Sequence, residues 1–170
     1  MKIRLVKEKD IKELQEIDKE YYGVETPIDT LKNWFETFPK GFFVAEDKSK
    51  IIAYIFVELL AEKKVIPFIH DAKETHNSNG KYMNVSGLGV LDEYKNTDLG
   101  KKLLEAIIKL AKSKKCKQIL FITGEAESGH DKYEREIISK AGFVKERSIE
   151  KWEASPSYFV TDHWIWIKKL

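Results

Sequence analysis

The sequence is short of the features that hold secreted domains together or anchor chains in membranes. Its 170 residues include one cysteine, Cys116, so no disulfide can form within the chain. No apolar run approaches the roughly 20 residues that a membrane helix needs. The start of the chain, MKIRLVKEKD, lacks the apolar segment of a secretory signal. We therefore expect a cytoplasmic location, no membrane association and a single domain over residues 1–170.

The chain also lacks an excess of charge of one sign. Its 30 lysines and arginines nearly balance its 28 aspartates and glutamates, which leaves a formal net charge of +2. Nucleic-acid-binding domains usually carry a basic face, and no strand pattern here interleaves aromatic residues with arginines. The histidines and the cysteine lack the close spacings typical of metal ligands; they are His70, His76, His130, His163 and Cys116. We expect neither a nucleic-acid partner nor a bound metal.

The clearest pattern lies in residues 82–113, where an apolar run is followed by a polar loop and an amphipathic helix. The run from Tyr82 to Val90 contains Gly87 and Gly89, and glycine inside a strand usually marks a bulge or the close approach of a ligand. After the loop, apolar residues recur at helical spacing, at Leu99, Leu103, Leu104, Ile107, Ile108 and Leu110. The pattern predicts a strand, a loop and a helix packed on a sheet.

The loop between them, residues 93–101, has the properties of an anion site. A helix N-terminus leaves about four backbone N–H groups unpaired and carries a partial positive charge, so it can hold a phosphate or pyrophosphate. Lys95, Lys101 and Lys102 would add positive charge, although isolated lysines of this kind are more often a solvated helix face.

The same segment resembles motif A of the GNAT superfamily of acetyl-coenzyme A-dependent N-acetyltransferases. In that motif a strand ending in Leu-x-Val precedes Arg or Gln, two residues, Gly, one residue, and Gly or Ala. Leu88-Gly89-Val90 matches the strand, Lys95 replaces the Arg or Gln, Asp98 replaces the first Gly, and Gly100 matches the last. The resemblance implies that the strand main chain binds the pantetheine arm, that a Gly89 N–H polarises the acetyl carbonyl, and that the loop receives the pyrophosphate. The implied cofactor-binding residues are Leu88, Gly89, Val90, Lys95, Asn96, Thr97, Asp98, Leu99, Gly100 and Lys101.

A second match lies further along the chain, where Gly142-Phe143 resembles the Gly-Phe that closes motif B of the same family. The fourth residue before that glycine is commonly a tyrosine that protonates the departing coenzyme A thiolate, and this chain has Ile138 there. Tyr133, five residues earlier, is the remaining tyrosine candidate for the acid. Asp131 stands where the family often has an asparagine that contacts the pantetheine arm.

The rest of the chain predicts the other elements of a GNAT-type fold. Two helices are predicted after a short first strand. Residues 61–81 have no regular apolar spacing and are predicted to form a long loop, which can serve as a lid or as a wall of the acceptor site. An alternative prediction places a strand over 65–69 within this loop. The fold class we predict is α/β (α+β), a mixed central sheet of about seven strands with helices on both faces. The later strands are expected at 42–45, 51–60, 82–90, 118–123, 143–152 and 164–167, with helices over 99–113 and 131–140.

The resemblance implies an N-acetyltransferase in which an amine of a small molecule or peptide attacks the thioester of acetyl-coenzyme A directly. Glu58 ranks first among bases that could act through water, although a carboxylate at its position more often faces solvent at a strand end. The loops 61–81 and 154–162 give no readable acceptor specificity, and a homodimer is compatible with the fold. The alternative is a catalytically degenerate acyl-coenzyme A sensor or scaffold, which Asp98 and Ile138 motivate.

Overall fold

The computed structural model describes residues 1–126, 129–152 and 161–170. Its seven strands form one sheet in the order β1-β2-β3-β4-β5-β7-β6. The strands are β1 Lys2–Leu5, β2 Phe42–Asp47, β3 Lys50–Leu60, β4 Tyr82–Val90, β5 Gln118–Gly124, β6 Val144–Trp152 and β7 Thr161–Lys169. The helices are α1 Ile11–Tyr22, α2 Ile28–Thr37, α3 Ala72–Thr75, α4 Leu99–Ser113 and α5 Gly129–Lys140.

This order confirms the predicted fold, a mixed sheet with helices on both faces. Two local expectations change. Residues 65–69 contain no strand in the described structure; the long loop instead includes the short helix α3. β7 runs from Thr161 to Lys169, longer than the expected 164–167, because it pairs with β5 on one side and with β6 on the other. The loop 154–162, whose sequence gives no readable acceptor specificity, lies mostly outside the described residues.

Aromatic side chains from β2, β3 and α2 form the centre of the core. The ring of Trp34 stacks on Phe56 with centroids 5.0 Å apart and planes 10° apart, and Phe42 contacts both rings. β3 is buried on both faces from Ile51 to Leu60, as expected of a central strand covered by helices. One face of the sheet is thereby fixed under α1 and α2.

The glycines of β4 serve this packing. A Cβ on Gly89 would lie 2.7 Å from both Ile17 Cγ2 and Tyr54 Cε1, and one on Gly87 would lie 2.8 Å from the Trp34 ring. Such distances are too short for carbon atoms, so the close approach that these glycines permit is that of core side chains. The expectation that a ligand approaches at the Cα of Gly89 is therefore corrected: the core occupies that side.

A buried carboxyl group, Asp18 of α1, also lies on this face. Its Oδ1 accepts a hydrogen bond from Tyr54 Oη at 2.5 Å, and the side chain and main chain of Thr26 also favour its charged form. Burial raises the pKa of the Asp18 carboxyl to about 7, which outweighs the hydrogen bonds that favour its charged form.

β4 and β5 diverge soon after they meet, and this positions the site. Their parallel pairing covers only Tyr82–Asn84 against Gln118–Leu120. The β3–β4 ladder shifts register between Phe56 and Val57, which bends β4 near the point of divergence. Beyond Asn84, the edge of β4 that would face β5 is left open.

Candidate active site

A cavity of about 280 Å³ fills the gap between the diverging strands. We call it the β4–β5 cavity. Residues from α1, the 61–81 loop, β4, β5, α5 and β7 line it: Tyr22, Ile66, Pro67, Phe68, Asn84, Val85, Ser86, Gly87, Leu88, Phe121, Ile122, Gly124, His130, Asp131, Glu134 and His163. Its walls are mainly apolar, with carboxyl, imidazole and amide groups at a few points, as is usual for a small-molecule site.

The main chain of β4 presents polar groups to this cavity. The N–H of Leu91 donates to Ile52 of β3 at 3.1 Å, and antiparallel ladders alternate, so Gly89 also turns its N–H toward β3. Leu88 and Val90 consequently direct theirs to the open side. Tyr22 Oη donates to the Leu88 carbonyl at 2.6 Å, which agrees with this assignment. The expectation that a Gly89 N–H polarises a bound carbonyl is therefore corrected in favour of its neighbours.

The predicted phosphate loop precedes α4, which begins at Leu99. Asn96, Thr97 and Asp98 are exposed, whereas Leu99 is buried. Thr97 Oγ1 donates to the Tyr94 carbonyl at 2.6 Å and accepts from the Leu99 N–H at 3.3 Å, which orders the turn. The loop therefore exposes a helix N-terminus.

The lysines and Asp98 at this terminus are paired with one another or with nearby acids. Lys95 Nζ contacts Asp92 at 2.6 Å and lies 4.6 Å from the centre of the Tyr21 ring. Lys102 Nζ lies 2.9 Å from Asp98, whose carboxylate makes no capping hydrogen bond to α4. The more exposed Lys101 lies 3.7 Å from Glu105 of α4, a pairing too weak to hold it in place.

Gly100 allows α4 and α5 to pack closely. A Cβ there would collide with Tyr133 Oη and would lie 3.0 Å from Ile137 Cδ1. A large residue at Gly100 would therefore separate the two helices whether or not a phosphate binds nearby. Its match to the family motif has a sufficient explanation in packing.

Glu58 is buried in the sheet and does not face water at a strand end. Three groups hold its carboxylate: Thr75 Oγ1 at 2.5 Å, Ser86 Oγ at 2.8 Å and His70 Nε2 at 2.7 Å. Asn84 Nδ2 donates to Ser86 Oγ at 2.9 Å. Since Asn84 and Ser86 line the β4–β5 cavity and Glu58 does not, the Ser86 hydroxyl connects the cavity to the buried carboxylate.

His70 and Glu58 form a buried charged pair. His70 Nδ1 lies 3.2 Å from the Phe68 carbonyl and so carries a hydrogen, and Nε2 needs another to bond Glu58. Burial opposes both charges, but the hydrogen bond and charge of each partner prevail. They lower the pKa of the Glu58 carboxyl and raise the pKa of His70.

On the opposite wall, Asp131 orders the loop that follows β5. Its carboxylate accepts from the N–H groups of Gly124 at 3.1 Å and Ala126 at 3.3 Å, and His130 Nε2 lies 3.3 Å away. Arg135 donates to the carbonyls of the same two residues, each at 2.6 Å. Asp131 thus lines the cavity with its oxygens already engaged by the main chain, and its contact with a pantetheine arm stays a prediction.

The described residues that line the cavity include neither Ile138, which stands at the family's acid position, nor Tyr133, the predicted acid. Ile138 is fully buried and apolar. Tyr133 directs its hydroxyl at Gly100, whose main chain favours the ionised form, but burial prevails and raises the pKa of Tyr133 to about 12. The role of Tyr133 as the acid stays a prediction.

Sequence reasoning missed Glu134, which does line the cavity. It is 4% exposed, and its Oε1 accepts a hydrogen bond from Tyr21 Oη at 3.2 Å. Burial raises the pKa of the Glu134 carboxyl to about 8. One signal was available: Glu134 lies four residues before Ile138, so an acid stands on the face of α5 where the family carries its tyrosine.

Two wider searches of the described residues gave negative results. Within residues 1–126, 129–152 and 161–170, no group of three or more histidine, cysteine or acidic side chains could hold a metal ion. None of the helices described there is long and apolar enough to cross a membrane.

Solved structures with a similar fold cover nearly the whole chain. Ard1 from Thermoplasma volcanium has a TM-score of 0.78 and 11% identity, over 99% of this chain and 97% of that one. The loading GNATL domain of CurA from Lyngbya majuscula has a TM-score of 0.82 and 13% identity, over 99% and 96%. Arabidopsis thaliana Naa50, solved with the bisubstrate analogue CoA-Ac-MVNAL, has a TM-score of 0.73 and 14% identity, over 99% and 98%. Identities this low show the fold alone.

Sequence comparisons give the family directly. A search of curated proteins finds no match. The sequence model described as the acetyltransferase (GNAT) family matches residues 9–137, which contain the strands β2 to β5 and most of α5. Because that match covers most of the chain, the protein belongs to the GNAT acetyltransferase family.

Proposed function

We propose that this protein is an N-acetyltransferase that takes acetyl-coenzyme A and acetylates the amine of a small molecule or peptide. The observation that carries the proposal is the open edge of β4, where Leu88 lines the β4–β5 cavity and the main-chain groups of Leu88 and Val90 point away from β3. An open strand edge of this kind can bond the amide groups of a pantetheine arm as it would another strand. The proposal includes one domain over residues 1–170 and a cytoplasmic location.

The chain offers matching groups for the rest of the cofactor. The N-terminus of α4 lies at the end of the loop that follows β4, and its unpaired N–H groups with Lys95 and Lys101 suit a pyrophosphate. Acetyl-coenzyme A, when bound, supplies the activated acetyl group. The N–H groups of Leu88 and Val90 are the donors available to polarise its carbonyl. Asp131 holds the loop after β5 at the facing wall.

The polar wall formed by Asn84 and Ser86 suits the acceptor amine. Asn84 is 2% exposed, and its Oδ1 has no hydrogen-bond partner in the described ranges, so it can accept an N–H from an amine. Ser86 Oγ already donates to Glu58 and can pass a proton to it. The lowered pKa of Glu58 keeps it ionised at neutral pH. Even this weak base suffices, because an attacking nitrogen becomes strongly acidic as it bonds to carbon.

Two measurements test the proposal together. Calorimetry should show one equivalent of coenzyme A bound, and a panel of primary amines should release free thiol from acetyl-coenzyme A in the presence of the protein. Amines with apolar substituents should react best, since Ile66, Phe68 and Phe121 line the cavity. If coenzyme A fails to bind at millimolar concentration, the open edge of β4 is not a cofactor site.

A second candidate, an acyl-coenzyme A sensor or scaffold without catalysis, rests on Asp98 and Ile138. Asp98 brings negative charge to the proposed phosphate site, and Ile138 removes the usual proton donor. A sensor or scaffold of this kind would bind coenzyme A stoichiometrically and would release no thiol from acetyl-coenzyme A with any amine. Sedimentation with and without coenzyme A would at the same time determine whether the protein is a homodimer.

A further inference from the structure

Glu134 has no function in the steps described so far, although it lies in the wall of the β4–β5 cavity. Its hydrogen bond from Tyr21 Oη joins α5 to α1. Because that bond uses Oε1, the proton of a neutral carboxyl belongs on Oε2. In the neutral carboxyl group, Oε1 therefore accepts the Tyr21 hydrogen bond and the hydroxyl at Oε2 can donate a proton.

The surroundings of Glu134 favour the neutral, protonated form. Burial raises the pKa of its carboxyl, and the negative charge of Asp131 acts in the same direction. The charges of His130 and Lys95 and the Tyr21 hydrogen bond act in the opposite direction and are outweighed. The titratable groups around it are Tyr21 from α1, Lys95 from the loop before α4, His130, Asp131 and Tyr133 from α5, and His163 from β7.

Acetyl transfer needs a proton for the sulfur that leaves, and the described structure has few donors in position. Ile138 has no proton to give, and Tyr133 points to Gly100. Glu134 precedes Ile138 by about one helical turn, so it lies on the same face of α5 and nearer to the loop that Asp131 orders.

We propose that Glu134 donates the proton to the departing coenzyme A thiolate, an inference that rests on the proposed acetyl transfer. The sulfur keeps the electron pair of the broken C–S bond and uses it to bond the proton, which leaves a free thiol and the Glu134 carboxylate. His130 lines the same cavity with its side chain 33% exposed, so it can return a proton to Glu134 from solvent.

The first test measures proton sharing without turnover. Ultraviolet absorbance follows the ionisation of the thiol of bound coenzyme A as the pH is raised. In the wild type, the Glu134 carboxylate opposes a second negative charge on sulfur, so the bound thiol ionises above the pKa of free coenzyme A. Glu134→Gln removes that charge, keeps the Tyr21 hydrogen bond, and should lower the apparent pKa of the bound thiol by at least about one unit. Glu136→Gln, an exposed change on the same helix, should leave the titration as in the wild type.

The second test is turnover with a reactive amine from the panel. Glu134→Gln should lower kcat about 100-fold and change the KM for acetyl-coenzyme A less than about threefold. An unaltered thiol titration in Glu134→Gln would overturn the proposal. So would a shift produced instead by His130→Gln or Tyr133→Phe. A wild type that binds coenzyme A but acetylates no amine would contradict acetyl transfer, while the titration still determines whether Glu134 shares a proton with the sulfur.

Discussion

The buried carboxyl of Asp18 should make the protein less stable as the pH rises from acid to neutral. Its pKa is raised by burial from the usual 3.8 to about 7, so the folded chain binds this proton more tightly than the unfolded chain. The stability linked to it is complete below about pH 4 and is lost between about pH 4 and pH 7. At about 1.36 kcal/mol for each pKa unit, the loss reaches about 4 kcal/mol above pH 7.

The variant that isolates this effect is Asp18→Asn. Asparagine keeps an oxygen for Tyr54 Oη, and its amide can donate to the buried Thr26 Oγ1, which lies beside the Asp18 carboxyl in the wild type. The advantage of the variant over the wild type should grow by about 2.5 kcal/mol between about pH 5 and pH 8.

Urea unfolding followed by tryptophan fluorescence at several pH values measures this difference. Asp29→Asn in α2 is the matched control, because Asp29 is exposed and loses the same charge. Parallel stability curves for the wild type and Asp18→Asn would refute the reasoning, since they would mean that Asp18 titrates alike in the folded and unfolded chains.

Three further substitutions test the site and its support. Gly89→Val should destabilise the protein without ligand by about 1–3 kcal/mol, because its Cβ would overlap Ile17 and Tyr54; an unchanged urea midpoint would contradict this. Asp98→Gly should tighten coenzyme A binding about tenfold at low salt, because it removes repulsion between the carboxylate and the pyrophosphate, and less at high salt, which screens that repulsion. Asp98→Asn should give part of this gain. Weaker binding of Asp98→Gly without salt dependence would show that the carboxylate does not face the phosphates. Ser86→Ala should lower kcat by about 100-fold or more while calorimetry gives an unchanged Kd for coenzyme A; normal turnover would exclude the Ser86 path to Glu58.

The order of the elements could be predicted because each one has its own local pattern. The three- and four-residue spacing from Leu99 onward fixes α4, and the alternating and apolar runs indicate the strands. The partners of Glu58 could not be predicted in this way. His70 and Thr75 lie in residues 61–81, whose sequence has no periodicity, and only the fold brings them to the carboxylate.

The roles of the β4 glycines and of the proposed proton donor Glu134 were harder to predict from the sequence, for a different reason. A glycine in a strand indicates a close approach but does not say of what, and at Gly89 it is Ile17 and Tyr54 that approach. The family motif directed attention to the position of Ile138, so the charged residue one turn earlier was overlooked. Glu134 accepts its hydrogen bond from Tyr21, which is 113 residues away in the sequence, so this environment follows from the fold and not from a local pattern.

The sheet is only briefly paired between β4 and β5. Tyr82–Asn84 pair with Gln118–Leu120, where the four strands β1–β4 meet the three strands β5, β7 and β6. Contacts between helices and strands bridge the two parts beside this junction: α4 packs on β2, β3 and β5, Tyr21 donates to Glu134, and the rings of Tyr21 and Tyr22 contact His130. An acyl group larger than the cavity would therefore strain these helix contacts before it disturbed the hydrogen bonds within either part of the sheet.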